Sequence, residues 1–240
     1  MTADCTYVYV EGLEAGETSK EVMLQNYLKI INTPMSDIMP KMSVNGMESS
    51  LVEPENCFIP ADATESDGLA QMITVTRINL EQIDDIQSMC LSAYSSMLYM
   101  SEQNLYLATD LKERTGFHKI ALDDLSYQAF GSVHGQMGWQ ASPHLRLDEE
   151  QGLLRVLSSD YSQSEPYHQL SVLRQDGDSL ELAARLPNKD QPQSIGKPGE
   201  DVYAVRFIGD KGYVVTFERI DPLYVIDFSI PDAPVIAGSL

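Results

Sequence analysis

The sequence predicts an all-β fold made of repeated four-stranded sheets, on three observations. From Met72 onward, short runs of β-branched, aromatic and other apolar residues alternate with turn-forming clusters, which is typical of antiparallel meanders. The order of strand, tight turn, strand, longer break, strand, turn, strand occurs three times. The pattern is clearest at the C-terminal end, where breaker clusters divide four runs: Val202–Ile208, Tyr213–Phe217, Leu223–Phe228 and Val235–Leu240.

The N-terminal part adds a strand and a helix. Residues 5–12 alternate tyrosine and valine, which indicates a strand. Thr18 and Glu21 have the spacing of a capping box, in which each side chain satisfies a free backbone amide at a helix start. A helix is therefore predicted over Ser19–Asn32, ended by Pro34. Its apolar stripe is expected to dock on the protein core: Leu24, Tyr27, Leu28 and Ile31.

The sequence predicts that the chain divides into two structural parts. Residues 33–70 are rich in proline, glycine and methionine and carry an acidic run, so we expect an irregular insertion there. Residues 1–70 would then form a strand, a helix and an irregular insertion packed on the rest. Residues 71–240 would carry the repeated sheets.

The period of the repeat assigns these sheets to β-propeller blades. Tyr106, Leu154 and Tyr213 occupy equivalent places in successive inner hairpins, about 50 residues apart, and a blade has four strands in about 40–50 residues. A sandwich with Greek-key connections would not repeat one strand–turn order in succession, and a parallel β-helix has a shorter repeat. The sequence therefore predicts a partial β-propeller with three full four-stranded blades and part of another.

The charge balance excludes several partners. With 36 acidic and 16 basic residues, the chain has a formal net charge of −20. This charge repels nucleic acid and anionic lipid, so neither is expected to bind. No apolar run approaches the about 20 residues that span a bilayer. The N-terminus also lacks the features of a secretory signal, so the chain is cytoplasmic or is exported by a signal outside this sequence.

Candidate site residues are few. Neither the histidines nor the cysteines have zinc-ligand spacing, and no calcium loop or nucleotide motif occurs, so no metal or cofactor is expected. His134 and His144 flank a break in which Trp139 is a candidate platform for a sugar or peptide; packing over a blade edge is the alternative. Cys57 and Cys90 would pair in an oxidising compartment, and three free thiols are the alternative.

No catalytic constellation is recognisable in the sequence. A nucleophile elbow of the form GxSxG does not occur. A propeller hydrolase would need carboxylates around a central channel, and no spacing singles out such a pair. Asp227 ends a strand just before a turn, where its carboxylate is expected to accept hydrogen bonds from turn amides rather than bind a metal.

The chain resembles the bacterial and archaeal secreted β-propeller domain family, whose C-terminal propellers are distantly related to WD-type repeats. The resemblance is carried by YAVRFIGDKGYVVTFERIDPLYVIDFSIPDAPVIAGSL and, upstream, by MITVTRINL, MLYMSEQNLYLATD, FHKIAL and GLLRVLSS in the family's order. It implies an exported or envelope-attached propeller and offers no catalytic motif. It also implies that this chain is shorter than the family's propellers, so an arc that self-associates through open blade faces is expected.

The predicted function follows from these observations. We expect a non-catalytic binding or scaffolding module of a secreted or envelope-associated bacterial protein, which engages a protein or glycan through loops at one propeller face. The alternative is a propeller-type hydrolase that acts at the central channel.

Overall fold

The computed structural model describes residues 2–7, 19–59, 71–138, 143–217 and 222–240. It has two compact units, one formed by Met1–Tyr94 with Asp124–Ser126 and the other by Ser95–Asp123 with Tyr127–Leu240. Among the described residues, no helix has both the length and the apolar character that crossing a membrane requires.

The first unit begins with the predicted strand and helix. Strand β1 spans Thr2–Tyr7 and helix α1 spans Lys20–Asn32. Ser19 caps the helix, because its Oγ accepts a hydrogen bond from the Val22 amide at 3.4 Å. Thr18, the predicted capping residue, lies outside the described residues.

Three residues of the predicted apolar stripe of α1 are not buried. Leu24, Tyr27 and Leu28 are between 44% and 59% exposed, so the prediction is wrong for the described side chains of the stripe. A helical stripe shows that one face is apolar, but it does not say which surface covers that face. One buried cluster of this unit is built instead from later segments: Met39, Val52, Met72 and Cys90.

The segment predicted as irregular contains regular structure. Helix α2 spans Met35–Ile38, and a hairpin follows with β2 at Lys41–Val44 and β3 at Met47–Ser50. The hairpin turns at Asn45 and Gly46, whose φ angles are +52° and +80°. An Asn-Gly pair is a strong signal for this turn. The strands on either side were not predicted because their sequences are short and partly polar.

A four-stranded sheet completes the first unit. Its strands are β4 at Cys57–Phe58, β5 at Gln71–Ile78 and β6 at Ile86–Leu91, together with β1. The sheet order is β1-β5-β6-β4, in which β4 runs parallel to β6 and the other pairs are antiparallel. The sheet therefore differs from a simple meander.

The second unit contains three four-stranded antiparallel meanders, which we call the first, second and third blades; one parallel bridge joins the first two into a single eight-stranded sheet, and the third is a separate four-stranded sheet. In each, the strands pair in chain order. The first blade is β7 Met97–Met100, β8 Asn104–Leu111, β9 Arg114–Ala121 and β10 Tyr127–His134; the second is β11 Leu147–Glu150, β12 Leu153–Asp160, β13 Tyr167–Asp176 and β14 Ser179–Leu186; the third is β15 Asp201–Ile208, β16 Lys211–Phe217, β17 Leu223–Asp227 and β18 Val235–Ser239.

The predicted blade pattern is confirmed. Tyr106, Leu154 and Tyr213 all lie on the second strand of their blades. Within the described residues the fold is all-β, apart from the α-helices of the first unit and short 3₁₀ turns, as the repeat predicted.

Two apolar cores hold the blades face to face. Along β12, Leu154 and Val156 join a cluster shared with the first blade, whereas Leu153 and Leu157 join a cluster shared with the third. Strand side chains alternate between faces, so one strand contributes to both cores. The second blade is therefore covered on both faces.

The outermost strands of the first and second blades also touch. The Phe130 amide donates a 3.0 Å hydrogen bond to the Asp178 carbonyl, beside a parallel contact between Phe130 and Ser179. A Cβ atom at Gly131 would collide with the backbone carbonyl and Cβ of Leu180. Glycine at this position is therefore what allows β10 and β14 to approach so closely.

Candidate functional site

Two adjoining cavities of the second unit lie between the first strands of the blades. The larger, of about 950 Å³, lies between the β7–β8 turn and the β11–β12 turn. The smaller, of about 360 Å³, is bounded by β7, β11, β15 and the short 3₁₀ turn Pro143–Arg146. Both are lined by Tyr99 and Met100. We call them together the inner cleft, lined by residues 98–103, 144–145, 147–152 and 206–207.

Strand order explains why the cleft forms there. Each of β7, β11 and β15 is the edge strand at one end of its blade. An edge strand presents backbone groups that its own sheet does not pair, together with the side chains of its adjoining turn. The cleft thus combines exposed backbone edges with an apolar lining from Leu98, Tyr99, Met100 and Phe207.

Glu149 organises a buried polar cluster beside the larger cavity. Its carboxylate accepts hydrogen bonds from the Asn104 amide at 2.8 and 3.0 Å and from the Ser101 hydroxyl. Its backbone amide donates to the Tyr99 hydroxyl at 2.8 Å. Burial raises the Tyr99 pKa. These bonds connect the first strand of the first blade to that of the second.

Lys119 supplies the positive charge of this cluster. Its Nζ lies 3.6 Å from Glu149 Oε1, and the two side chains are only 9% and 5% exposed. Lys119 also lies over the Tyr106 ring, at 5.9 Å from its centroid. The buried Tyr106 hydroxyl has no hydrogen-bond partner within the described residues. Burial and the nearby Glu149 carboxylate raise the Tyr106 pKa. The cluster is a buried ion pair, which is costly unless both charges stay paired.

Asp148 faces the smaller cavity and is also paired. The Arg155 Nη1 atom lies 3.2 Å from its Oδ2 atom. The same guanidinium lies 4.4 Å from the centroid of the Phe228 ring and donates to the Gly209 carbonyl, which links the second and third blades. Burial raises the Asp148 pKa, and Arg155 opposes that rise.

A second polar network lies between the second and third blades, and its side chains are not among those that line the cleft. Ser159 Oγ and His168 Nδ1 are 2.8 Å apart, and His168 Nε2 lies 2.9 Å from the Glu200 carbonyl. Since only the protonated ring nitrogen can donate to that carbonyl, Nδ1 accepts from Ser159. Arg146 donates to Ser159 at 3.0 Å, and Glu200 accepts from Thr216 at 2.7 Å. Ser159 and His168 are buried, so this Ser–His pair is inaccessible to a substrate.

The residues proposed from the sequence as ligand contacts lie in different places. Trp139 lies outside the described residues. His134 lies at the end of β10, where its Nε2 is 2.8 Å from Asp160 Oδ2. His144 is exposed and lines the smaller cavity of the inner cleft. Ligand contact by these three residues stays a prediction.

The two cysteines proposed to pair lie opposite each other in the first unit. Cys57 on β4 is in register with Cys90 on β6, with their Cα atoms 4.4 Å apart, and the structure joins them in a disulfide. The bond ties the segment that precedes β5 to the sheet.

Asp227 accepts turn hydrogen bonds, as expected. Its Oδ1 accepts from the Ser229 amide at 2.8 Å and hydroxyl at 2.6 Å, and these bonds with Lys211 lower its pKa to about 2. Lys211 Nζ lies between Asp227 and Asp210, at 2.9 and 3.1 Å, and pairs with both carboxylates. Within the described ranges, no group of three or more metal-ligating side chains is present.

Sequence reasoning missed the buried ionic cluster. The available signal was Lys119, a charged residue in a predicted strand with Phe117 and Ile120, since a buried lysine needs an opposite charge. Its partner Glu149 could not be named, because residues 30 apart meet only through the packing of two blades.

Comparison with known proteins gives the family. The model of the β-propeller domain matches residues 5–240. An uncharacterised protein of Methanocaldococcus jannaschii is 34% identical over 131 residues, which are 53% of this chain and 19% of that protein. An uncharacterised protein of Archaeoglobus fulgidus is 36% identical over 129 residues, 53% of this chain and 18% of that protein. The matches thus span about a fifth of these relatives, and no solved structure matches. The chain belongs to the β-propeller domain family.

Proposed function

We propose that this domain is a non-catalytic binding module that holds an extended segment of a partner protein in the inner cleft. The observation that carries the proposal is the cleft itself, with its apolar lining, its edge strands, and two glutamates that make no ion pair within the described residues, Glu102 and Glu150. Ligand sites commonly combine an apolar surface with a few convergent polar groups. An extended peptide can also use the backbone groups of an edge strand, as in β-strand addition.

The charges of the cleft favour a basic partner segment. Glu102 and Glu150 line the larger cavity and make no ion pair within the described residues. Arg206 lines the smaller cavity and is the one lysine or arginine among the lining residues that the structure describes. A cleft dominated by negative charge attracts cations. We therefore favour a protein partner with arginine or lysine beside apolar residues over a neutral glycan.

The inner carboxylates support a binding role over a catalytic one. Glu149 is held by Ser101, Asn104 and Lys119, and Asp148 is held by Arg155. A general acid or base must be within hydrogen-bond reach of its substrate and free to exchange a proton with it. Carboxylates that are engaged in the fold serve to position the blades and shape the cleft.

Defined peptides test this proposal. Fluorescence anisotropy would measure binding of synthetic peptides in which leucine alternates with arginine, and of matched peptides with glutamate in place of arginine. We expect binding of the arginine peptides alone, weakened by salt. The double substitution Glu102→Gln and Glu150→Gln should weaken it about tenfold, because two solvent-facing charge pairs are lost.

The matched control replaces two exposed glutamates outside the cleft. Glu113→Gln with Glu181→Gln removes the same charge from the β8–β9 turn and from β14, so it should leave peptide binding unchanged. Equal binding of both peptide types, or equal loss in both double variants, would contradict the proposed cleft. If the protein instead bound neutral oligosaccharides, and salt did not weaken that binding, the partner would be a glycan rather than a protein.

A hydrolase acting at the cleft is the second candidate, and one observation favours it. Burial raises the Asp148 pKa, which is a property of carboxyl groups that act as general acids. Purified protein would be assayed on chromogenic ester, lactone and glycoside substrates beside Asp148→Asn. Turnover that this substitution abolishes would replace the binding proposal; turnover that survives it would point to a contaminant.

We further propose that the protein works outside the cytoplasm, at the cell envelope or as a secreted protein. The support is the Cys57–Cys90 pairing, because structural disulfides persist mainly in oxidising compartments. Thiol titration of the denatured, non-reduced protein from its native host should give one reactive thiol, that of Cys5. Three reactive thiols would remove the support for this location.

A further inference from the structure

The two cavities of the inner cleft differ in charge. Glu102 and Glu150 line the larger cavity without an ion pair inside the described ranges. In the smaller cavity, Asp148 is the one acidic residue among the described lining residues, and the buried Arg155 offsets its charge at 3.2 Å. Arg206 also lines the smaller cavity and makes no ion pair in the part of the chain that the structure describes. The larger cavity is therefore negative, whereas the smaller one has a net positive charge.

The donors of the smaller cavity suit a carboxylate. Arg206 is exposed, and its Nη1 donates a 3.2 Å hydrogen bond to the Val205 carbonyl; its remaining N–H groups have no partner among the described residues. A guanidinium presents its donors as a planar fork that matches the two oxygens of a carboxylate. His144 is exposed in the same cavity and can donate another hydrogen bond from a protonated ring nitrogen.

The edge strands of the cleft favour one direction for a bound segment. Both β7 and β11 run from the smaller cavity toward the larger one: Leu98 and Leu147 line only the smaller cavity, whereas Gln103 and Gly152, in the turns that follow, line only the larger. Antiparallel pairing is slightly more stable per residue than parallel pairing. A segment paired antiparallel to either strand therefore has its C-terminal end at the smaller cavity.

We propose that the smaller cavity binds a carboxylate of the partner segment through Arg206 and His144. The ligand then carries a basic side chain, held in the larger cavity, and a carboxylate nearer its C-terminal end. The direction of pairing favours the terminal carboxylate itself, and an acidic side chain close to the terminus is the other source of the same group. This inference rests on the peptide-binding function proposed above and adds a requirement that the net charge of −20 would by itself oppose.

Three forms of one peptide test the inference. Isothermal titration calorimetry would compare an acetylated leucine–arginine peptide that ends in a free carboxylate, in an amide, or in a glutamate amide. We expect the free acid to bind about tenfold more tightly than the amide, which is the size expected for charge-assisted hydrogen bonds. Tighter binding of the glutamate amide alone would keep the carboxylate site but assign it to a side chain. Attraction to overall negative charge predicts the opposite order, so equal binding or tightest binding of the amide would overturn the inference.

Substitution of Arg206 locates the effect in the smaller cavity. Arg206→Gln should weaken binding of the free acid about tenfold and leave the amide unchanged, because only the carboxylate loses its partner. The matched control is Arg185→Gln on β14, which removes an exposed arginine that lines neither cavity. It should keep the preference for the free acid. The same loss in both variants, or weakening of both peptide forms by Arg206→Gln, would contradict the proposed site.

The outcomes separate this inference from the function on which it rests. If no form of the peptide binds, both proposals fail. If all three forms bind equally, only the carboxylate site fails and the basic partner segment remains. In Glu102→Gln with Glu150→Gln, all forms should bind more weakly while the ratio of free acid to amide stays the same; loss of that ratio would show that the preference does not come from the smaller cavity.

Discussion

The two interfaces between blades are built from similar groups but differ in their access to solvent. Each has an apolar core and a buried polar network. Between the second and third blades, Ser159 and His168 are sealed from solvent. Between the first and second blades, Glu149 and its partners Ser101 and Tyr99 line the wall of an open cavity.

The comparison teaches how to separate structural from functional polar groups in this fold. The Ser–His pair has the residue types of a nucleophile and base, but no substrate can reach it. The Glu149 cluster has no catalytic residue pattern, yet its members shape the site that a ligand can enter. Access to solvent, rather than residue type, distinguishes the two networks.

The largest expected effect on stability comes from replacing Glu149. Glu149→Leu would leave the buried Lys119 charge without its partner, at a cost of about 3–5 kcal/mol in the free energy of unfolding. Chemical denaturation would measure it. The double variant Glu149→Leu with Lys119→Met should be less destabilised than the single variant.

If Glu149→Leu alone costs no more than the exposed control Glu102→Leu, the ion pair is unimportant and the contrast between the interfaces weakens. A double variant worse than the single one would show that Lys119 contributes packing of its own rather than a charge that needs a partner.

The next effect concerns the backbone contact between the first and second blades. Gly131→Ala would force β10 away from Leu180, and overpacking of this kind costs about 1–3 kcal/mol. Gly238→Ala is the matched control, because a Cβ atom there meets open space. Denaturation midpoints would compare the two. Equal stability of both variants would show that the outer strands are free to separate.

The third prediction concerns the sealed network and pH. Burial lowers the His168 pKa, so the unfolded chain binds a proton at a higher pH than the folded one does. Stability conferred by neutral His168 is therefore present above the unfolded pKa of about 6.5 and is lost as pH falls below it, by at most about 1.4 kcal/mol per pH unit. Nearby Arg146 adds to the lowering, while Asp201 and Glu200 oppose it.

His168→Gln should reduce this pH dependence between pH 7 and 5, while costing about 1–3 kcal/mol at pH 7 through lost buried hydrogen bonds. Denaturation at several pH values would measure both effects. His134→Gln, an exposed histidine paired with Asp160, serves as the control. An unchanged slope in His168→Gln would mean that His168 is not the group responsible.

Much of the fold could be predicted from local patterns. The helix over Lys20–Asn32 followed from its spacing of apolar residues and from Pro34, and every blade hairpin followed from alternation between breakers. The sequence did not predict the β2–β3 hairpin, although Asn45–Gly46 is a typical hairpin turn. Its strands have four residues each and show no alternation of apolar residues. Local patterns identify elements that are long enough to show a period.

The candidate site could not be predicted in this way. His144 lines the cleft, but the sequence paired it with His134, which lies at the end of β10 with Asp160. Lys119 and Glu149 are distant in sequence and belong to different blades. Their meeting depends on how two sheets pack, and spacing along the chain carries no information about that.

By itself, then, the sequence determined the β character, the number of strands per blade and their order, because strand alternation and turn chemistry act between near neighbours. Only the tertiary structure decided which blade faces are covered, which carboxylates are neutralised and which histidine reaches a cavity. These outcomes depend on the alignment of one sheet against another, where burial and charge pairing are settled by residues far apart in the chain.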